Sequence, residues 1–528
     1  MAGHVGHSHC LCQRLLMSAN AGRKAVNPWL IAPLVALAAF MEVLDISIAN
    51  VSLQHIAGSL GAGPEETTWI LTSYLVTNAI ALPIAGWLSD YFGRTRFFIG
   101  SIIGFTLASL ACGMAPGLEM LIIFRAVQGL AGGALQPVSQ AILADSFPLE
   151  KRGMAFAMYG IAVVAAPAIG PTLGGWITDE FSWRWIFLIN VPVGIVLIML
   201  VKRYLPDEPA NHDGSKVDYF GFALIAIGLG CLQWMLDTGQ REDWFESPQI
   251  VALAVIVVVA LLTYIVRSFD QKNPIVDLTL YRYPNFAMAN VIMFMMGFVL
   301  FGSTALLPLL MQTLMGYSAF DAGLVLSPGG FAIMFMMPIV GRLVGAVDSR
   351  ILLTLGLGVS SLALWNLGEL TLAVDRDQLA MARVWQTLGL AFLFIPTTSS
   401  AYVGLPTSAN NQAAAMLSFM RNLGGGVGIA LLMTFLDRVA TVNRGHLVAN
   451  TSPVSEVWSH HYMQLQQISG DATRALMMAN QQVAEQARFI AFMDSFKLLA
   501  VMFALLIPLV WKLKPLPRSG VGAPQGAH

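Results

Sequence analysis

The sequence predicts an all-α integral membrane protein with fourteen transmembrane helices, and composition, hydropathy and segment length each support this prediction. Of its 528 residues, 56% are hydrophobic and only 11% are charged, whereas soluble globular chains carry about 25% charged residues. The mean hydropathy is +0.68. The apolar residues fall into runs of roughly 20, the length of helix that crosses a bilayer core. Such runs are too long for the strands of a membrane barrel, which alternate over about ten residues.

Fourteen apolar segments follow one another along the chain, separated by polar or charged stretches. They lie near residues 29–50, 68–88, 97–115, 119–143, 153–177, 184–201, 218–237, 249–266, 286–311, 322–346, 351–371, 380–404, 412–436 and 491–511.

Positive residues fix the predicted orientation of this bundle, because loops rich in Lys and Arg stay on the cytoplasmic side. With the N-terminus inside, eighteen of the 29 Lys and Arg residues are cytoplasmic and eight, among them Arg383, are on the outer side. Both termini are therefore predicted to be cytoplasmic, whether the chain starts at Met1 or at Met17. The histidines and cysteines of the N-terminal tail lack regular metal-ligand spacing, and we predict no metal site.

The segment 437–490 is the only long stretch outside the spans besides the two tails. It is rich in Gln and Ala (QLQQISGDATRALMMANQQVAEQARF) and holds four of the eight outer arginines. We expect a helical stretch on the outer face. Two interpretations stay open: a solvated connector, or a docking surface for an accessory protein.

Charged residues inside the spans mark the candidate site. A carboxylate in a bilayer costs about 2.5–3.5 kcal/mol on insertion scales, yet the first span carries Glu42 and Asp45. Span one runs outward and span four runs inward, so Asp45 and Arg125 both lie in the outer half of the membrane. Our hypothesis is that they form a proton-linked pair; the alternative is a static ion pair. Glu42 lies about 60° round the helix from Asp45, and either carries a second proton, attracts cationic substrates or bonds a polar neighbour.

Three stretches contain glycines or prolines that let helices turn, bend or approach one another closely. GWLSDYFGRTRFF has Gly86 and Gly93, which allow a tight reversal, with Asp90, Arg94 and Arg96; GRLVGAVDSRILL is a degraded copy in the second half. LIIFRAVQGLAGGA places Gln128 and Gly129 after Arg125, and small residues let helices approach closely. GIAVVAAPAIGPTLGGW bends at its prolines. The candidate conformational residues of this last stretch are Pro167, Gly170, Pro171, Gly174 and Gly175.

These patterns resemble the motifs of one transporter family. G-x-L-x-D-x-x-G-R-x-R resembles the loop 2–3 signature of the major facilitator superfamily, and R-x-x-Q-G its fourth-helix motif, whose arginine lines the central cavity. P-x-x-G-P-x-x-G-G resembles the antiporter motif that marks exporters. L-D-x-S-I-A-N-V, WRWIFLINVPVG and MLDTGQREDWF are similar to stretches of EmrB-type, fourteen-span drug:proton antiporters. The departures are Ser47, Ala49 and Ser89, and none of them removes a charge.

The resemblance implies the major facilitator fold, with two six-helix halves and a central two-helix insert. The domains it implies are a cytoplasmic tail (1–27), an N-terminal half (28–203), a linker with the two extra helices (204–285), a C-terminal half (286–515) that includes the periplasmic loop 437–490, and a tail (516–528).

The resemblance also implies a secondary active multidrug exporter of the bacterial inner membrane, which exchanges protons for amphipathic toxic compounds by alternating access. EmrB-type exporters work with a periplasmic adaptor protein and an outer-membrane channel, so both are implied partners, and no nucleic acid is. The sequence contains no phosphate-binding G-x-x-x-x-G-K-[ST] loop, so we expect no cofactor and a proton gradient as energy source. The alternatives are an exporter of one metabolite, a channel and a membrane enzyme.

Polar and aromatic residues of the probable cavity helices are the predicted substrate contacts. They are Trp69, Tyr74, Asn78, Phe294, Thr397, Thr398, Ser399 and Tyr402.

Overall fold

The computed structural model describes residues 27–206, 218–271, 274–372, 374–406, 409–449, 451 and 456–514. The tail cysteines and histidines, both possible start residues and the C-terminal tail lie outside these ranges, so the predicted positions of the termini stay predictions.

The described residues form seventeen α-helices and two short 3₁₀ turns, Trp244–Glu246 and Leu278–Arg282. The helices are α1 Pro28–Leu60, α2 Pro64–Phe92, α3 Arg94–Gly113, α4 Leu118–Gly132, α5 Leu135–Ser146, α6 Leu149–Glu180, α7 Trp185–Leu188, α8 Asn190–Tyr204, α9 Tyr219–Thr238, α10 Pro248–Asp270, α11 Pro284–Leu314, α12 Ala319–Ala346, α13 Ser349–Leu367, α14 Arg376–Ala401, α15 Asn410–Ala449, α16 Glu456–Ser469 and α17 Ala472–Val510.

All of these helices except α16 belong to the fourteen predicted spans. Within the described ranges, thirteen are long and apolar enough to cross a membrane, with α4–α5 and α7–α8 each counting as one. The fourteenth is α6, whose parts Lys151–Pro167 and Thr172–Glu180 meet at 50°. The prediction of a fourteen-span helical membrane protein is confirmed.

Local capping explains where several spans begin. The Asn27 side chain accepts a hydrogen bond from the Trp29 backbone N–H at 3.0 Å, and Pro28 occupies the first helical position of α1. Asp218 and Asp348 cap α9 and α13 in the same manner. Such caps satisfy the free N–H groups at a helix start.

The helices pair in the same way in both halves of the chain. In the first half α1 packs on α6, α2 on α4 and α3 on α8; in the second, α11 packs on α15, α12 on α14 and α13 on α17. Between the halves, α2 contacts α15 and α6 contacts α12. This repeated arrangement brings the inner faces of both halves together.

Glycines make the two contacts between the halves possible. A Cβ on Gly86 would lie 3.0 Å from the Asn411 carbonyl oxygen of α15, and one on Gly341 would lie 3.0 Å from the Gly153 carbonyl oxygen of α6. The predicted role of Gly86 in a chain reversal is wrong, because this residue lies inside α2. Gly93 alone makes the turn, with φ of +85°.

The insert α9–α10 is attached to both halves at the predicted outer side. Its helix α9 packs on α2 and contacts α15. In the turn that follows α9, Arg241 donates to the Thr68 hydroxyl of α2 at 3.1 Å, and Trp244 donates to the Thr434 hydroxyl of α15 at 2.8 Å.

The segment 437–490 is mostly helical where it is described. Span thirteen continues to Ala449, α16 follows, and α17 begins well before its membrane part. Ala475 of α17 and Leu465 of α16 pack with Trp458 and Tyr462 in a small core of their own. The segment is rich in Gln and Ala, which favour helix, so the helices extend past the apolar runs.

Candidate functional site

The centre of the candidate site is an ion pair between α1 and α4. Arg125 Nη1 lies 2.5 Å from Asp45 Oδ2, and both side chains are fully buried. Arg125 Nε also donates to the Ile70 carbonyl of α2 at 3.2 Å. The structure thus brings together Asp45 and Arg125, which the sequence predicted to lie at the same depth in the membrane.

Neutral side chains complete the cage around this pair. Gln128 donates to Asp45 Oδ1 at 3.0 Å and accepts from Arg125 at 2.9 Å. Asn190 of α8 donates to the same Oδ1 at 2.8 Å. The Tyr74 ring lies 4.2 Å from the guanidinium carbon of Arg125. Four spans of the first half therefore hold one pair of charges, and charge-assisted hydrogen bonds of this kind are stronger than neutral ones.

Glu42 belongs to a second network, which crosses between the halves. Its Oε1 accepts from Asn78 at 3.0 Å, and its Oε2 accepts from Gln136 of α5. Gln136 Oε1 in turn accepts from Arg421 of α15. All of these side chains are buried, so Glu42 is connected to a cation of the opposite half through one amide.

The loop 2–3 motif lies at the predicted cytoplasmic end of the same interface. Asp90 accepts from Asn411, Arg94 pairs with Asp145 of α5, and Asp145 accepts from Asn410. Because Asn410 and Asn411 begin α15, these contacts join the two halves on that side. Arg96 of the motif is exposed.

The antiporter-type stretch packs on the first span. A Cβ on Gly170 would overlap the Ser47 side chain, and one on Gly174 would lie 3.0 Å from Ile48 Cγ2. The 50° bend of α6 falls between Pro167 and Thr172, a range that includes Pro171. Gly175 differs from the other two glycines, because a Cβ there would meet no atom within 4 Å. Gly129 belongs to a similar contact, since a Cβ there would overlap the Tyr74 carbonyl.

The predicted substrate contacts are spread over several environments. Trp69 is 36% exposed and packs edge-on against Trp234 of the insert, so it is directed away from the centre of the bundle. Tyr74 and Asn78 belong to the two networks just described. The Phe294 carbonyl packs against Gly424.

The hydroxyl-rich end of α14 is buried. Thr398 bonds the Phe394 carbonyl of its own helix at 2.8 Å. The hydroxyls of Thr397, Ser399 and Tyr402 are buried with no hydrogen-bond partner within the described part of the chain. Their role as substrate contacts stays a prediction.

A further buried arginine, Arg383, was missed by the sequence reasoning, which counted it among outer residues. It lies in α14 and is 5% exposed. With this correction seven Lys and Arg residues remain on the predicted outer side, compared with eighteen on the predicted cytoplasmic side, so the predicted orientation is unchanged. The signal was present in the sequence, because ARVWQ at 382–386 repeats the R-x-x-Q of span four.

Arg383 lines a cavity between the halves. The wall comprises Val164, Pro167, Leu300, Phe301, Thr304, Leu326, Gly330, Ile333, Arg383 and Thr387. None of the eight predicted substrate contacts lines it, whereas Pro167 of the antiporter-type stretch does. Among the described residues, no three His, Cys, Asp or Glu side chains are grouped so as to hold a metal ion.

The chain is similar to known transporters over most of its length. A family model of the Major Facilitator Superfamily matches residues 35–429. Multidrug export protein EmrB of Haemophilus influenzae is 36% identical over 482 residues, which cover 91% of this chain and 94% of that protein. The Escherichia coli protein of the same name is 36% identical over 495 residues, covering 94% and 96%. Fatty acid resistance protein FarB of Neisseria gonorrhoeae is 35% identical over 488 residues, covering 92% and 96%.

Solved structures show the same fold at low sequence identity. The human organic anion transporter MFSD10 aligns with a TM-score of 0.60 at 13% identity, over 92% of this chain and 99% of its own. The proton:xylose symporter XylE aligns with a TM-score of 0.57 at 12% identity, over 92% and 95%. With the family match, these similarities show that the chain belongs to the major facilitator superfamily of transporters, in its EmrB-type multidrug exporter family.

Proposed function

We propose that this protein exports amphipathic toxic compounds in exchange for protons, by alternating access between its two halves. The observation that carries the proposal is the fully buried Asp45–Arg125 pair, shared by α1 and α4. An exporter driven by a proton gradient needs a titratable group inside the membrane, and intramembrane carboxylates commonly serve this purpose. The names of the EmrB relatives support a multidrug role.

Protonation of Asp45 would weaken the interactions that hold its carboxylate in place. The carboxylate accepts from three donors, Arg125, Gln128 and Asn190. A protonated carboxyl is neutral and has one O–H donor, so its hydrogen bond with Arg125 is no longer strengthened by charge. Arg125 would then be a buried cation without a counter-charge, which is strongly unfavourable. Proton binding is thereby linked to a displacement of α4, which carries Arg125, relative to α1.

Glu42 is the second proposed proton-linked group. Through Gln136 it is connected to Arg421 of the opposite half. Its charge therefore stabilises the contact between α5 and α15, and its protonation would weaken that contact. Asp45 would act within one half and Glu42 between the halves.

The loop 2–3 motif is the proposed inner gate. Asp90, Arg94 and Asp145 hold the start of α15 against the first half, so the described conformation is closed on the predicted cytoplasmic side. The bend of α6 at its proline-containing stretch is the proposed hinge, since α6 also contacts α12 of the second half.

The helical segment 437–490 is the proposed docking surface for a periplasmic adaptor, which would connect the pump to an outer-membrane channel. It lies beyond the apolar part of spans thirteen and fourteen, yet it exposes Val442, Ile468, Leu476 and Met477, each by more than half of its surface. Exposed apolar groups outside a bilayer mark protein contacts.

The test of proton coupling uses everted membrane vesicles of a pump-deficient host. An imposed proton gradient should drive accumulation of a fluorescent amphipathic cation by the parent protein, and the Asp45→Asn variant should lose this accumulation. Asp45→Glu, which keeps the carboxylate, should retain part of it. Gradient-driven accumulation that is intact in a stably folded Asp45→Asn protein would refute the proposal.

A further inference from the structure

The two halves contain matching arginine sites that differ in one respect. Arg125 and Arg383 each occupy the eighth position of their helix, and each donates to a glutamine three residues later, at 2.9 Å to Gln128 and at 2.8 Å to Gln386. Arg383 and Gln386 both donate to the Ser303 hydroxyl of α11, at 3.1 and 2.7 Å. Ser303 therefore occupies the position that Asp45 occupies in the first half.

This replacement leaves the second arginine without a counter-charge. Throughout the described residues, no carboxylate lies within 4.0 Å of Arg383. Its contacts are hydroxyls and an amide: Ser303, Gln386 and Thr304, the last at 2.6 Å. A buried and unpaired charge is costly, and here its neutral partners provide only hydrogen bonds.

The cavity beside Arg383 is narrow in the described conformation and would widen to admit an anion as the halves move apart. The contacts with Ser303, Gln386 and Thr304 use three of the five N–H hydrogens of a guanidinium. The rest of the wall is largely apolar, with Val164 of the first half and Leu300, Leu326 and Ile333 of the second. An occupant with a carboxylate at one end and an apolar body would satisfy both the arginine and this wall.

We infer that Arg383 is the anion subsite of the transport cavity, and that it binds the carboxylate of acidic amphipathic substrates. The inference rests on the proposed export function and adds a substrate class to it. The first half provides its own carboxylate, Asp45, for proton coupling, whereas the second half receives one from the cargo. Because Val164 lies on α6 and Arg383 on α14, a bound acid would contact both halves.

The test compares two probes of equal shape, naphthylacetate and naphthylacetamide, on the full chain in phosphatidylcholine nanodiscs at neutral pH. Calorimetric titration, corrected with empty nanodiscs, should show that the parent binds the carboxylate at least about tenfold more tightly, as expected for hydrogen bonds to a charged group. Equal affinity for the two probes would overturn the inference.

Substitution of Ser303 provides a variant with its own counter-charge. Ser303→Asp restores the arrangement of the first half, so it should remove the preference for the carboxylate without unpairing Arg383. Ser303→Asn, which has the same size and no charge, should keep the preference. Arg383→Gln should lose it, but this variant is a less clean test if its folding is impaired. A Ser303→Asp protein that still prefers naphthylacetate would contradict the assignment.

Export of a permanent cation by the same preparations separates this inference from the proposed function. If gradient-driven export is present and the carboxylate preference is absent, the anion subsite is refuted and the export function stands. If the preference is present and depends on Ser303 as described, but no gradient-driven export occurs, the proposed function fails and the anion site stands.

Discussion

At the residue scale, the candidate site consists of charges that are each held by neutral amides. Gln128 and Asn190 contact Asp45, and Gln136 connects Glu42 to Arg421. An amide both donates and accepts, so it bonds a carboxylate on one side and a guanidinium on the other. The amides thereby stabilise charges at depths where contact with lipid would be costly. They also keep the charges close enough for a change in one to alter the energy of the other.

The Glu42–Gln136–Arg421 connection predicts non-additive stability. Glu42→Gln and Arg421→Gln should each destabilise the protein, because each leaves the other charge buried and less compensated. The double variant should be more stable than the sum of the two effects predicts, by about 0.5–3 kcal/mol, the usual range for coupled neighbours. Unfolding of the parent, both singles and the double in detergent measures this coupling. Strictly additive effects would show that the two charges do not interact through Gln136.

Sequence reasoning could find Asp45 and Arg125 because a charge within an apolar run is conspicuous, and because topology gives its depth. It could not find Gln136 and Asn190, since neutral amides in apolar segments have many ordinary packing roles. Arg383 was misplaced for a different reason. The predicted span began at residue 380, only three residues before it, where composition alone does not separate a loop from a span; the helix in fact starts at Arg376.

At the element scale, glycines set how closely the helices approach. Gly297 of α11 lies against the Arg421 carbonyl, and Gly424 of α15 lies against the Phe294 carbonyl. This reciprocal contact makes α11 and α15 a close pair and positions Arg421 in the interface. The sequence predicted the spans from hydropathy, but the ends of α15 and α17 depend on the helix-forming residues beyond the membrane, which carry no hydropathy signal.

Alanine at Gly424 should therefore destabilise the bundle. Its methyl group would overlap the Phe294 carbonyl, and overpacking of this kind costs about 1–3 kcal/mol. Gly358 of α13 is the matched control, because a Cβ there meets no atom within 4 Å. Gly358→Ala should leave the stability unchanged or raise it by up to about 1 kcal/mol, since Ala favours helix over Gly. Thermal unfolding at a fixed scan rate compares the two, and equal midpoints would contradict the packing argument.

At the scale of the whole molecule, three sets of contacts hold the halves together. The inner set joins Asp90 to Asn411, the central set joins Gln136 to Arg421, and the outer set joins the insert's turn to α2 and α15. Alternating access requires the inner set to break whenever the cavity opens inward. The insert provides the outer set, and its Ile225 and Tyr264 also pack with Ile84 of α2 and Phe419 of α15 nearer the predicted cytoplasmic side.

A reversible link across the inner set should therefore stop export. In a protein whose native cysteines, Cys10, Cys12, Cys112 and Cys231, are replaced, Asp90→Cys and Asn411→Cys place thiols on α2 and α15. A short bis-thiosulfonate reagent should abolish substrate accumulation in everted vesicles, and reduction should restore it.

The control for this experiment is the pair Arg94→Cys and Asp145→Cys, which lies within the first half. Cross-linking it should leave the remaining transport of that variant unchanged, because α3 and α5 need not separate. Since the link between α2 and α15 holds the inner side shut, substrate cannot enter from the cytoplasm while it is intact. Undiminished export by the fully cross-linked Asp90/Asn411 variant would mean that the halves do not part at this end.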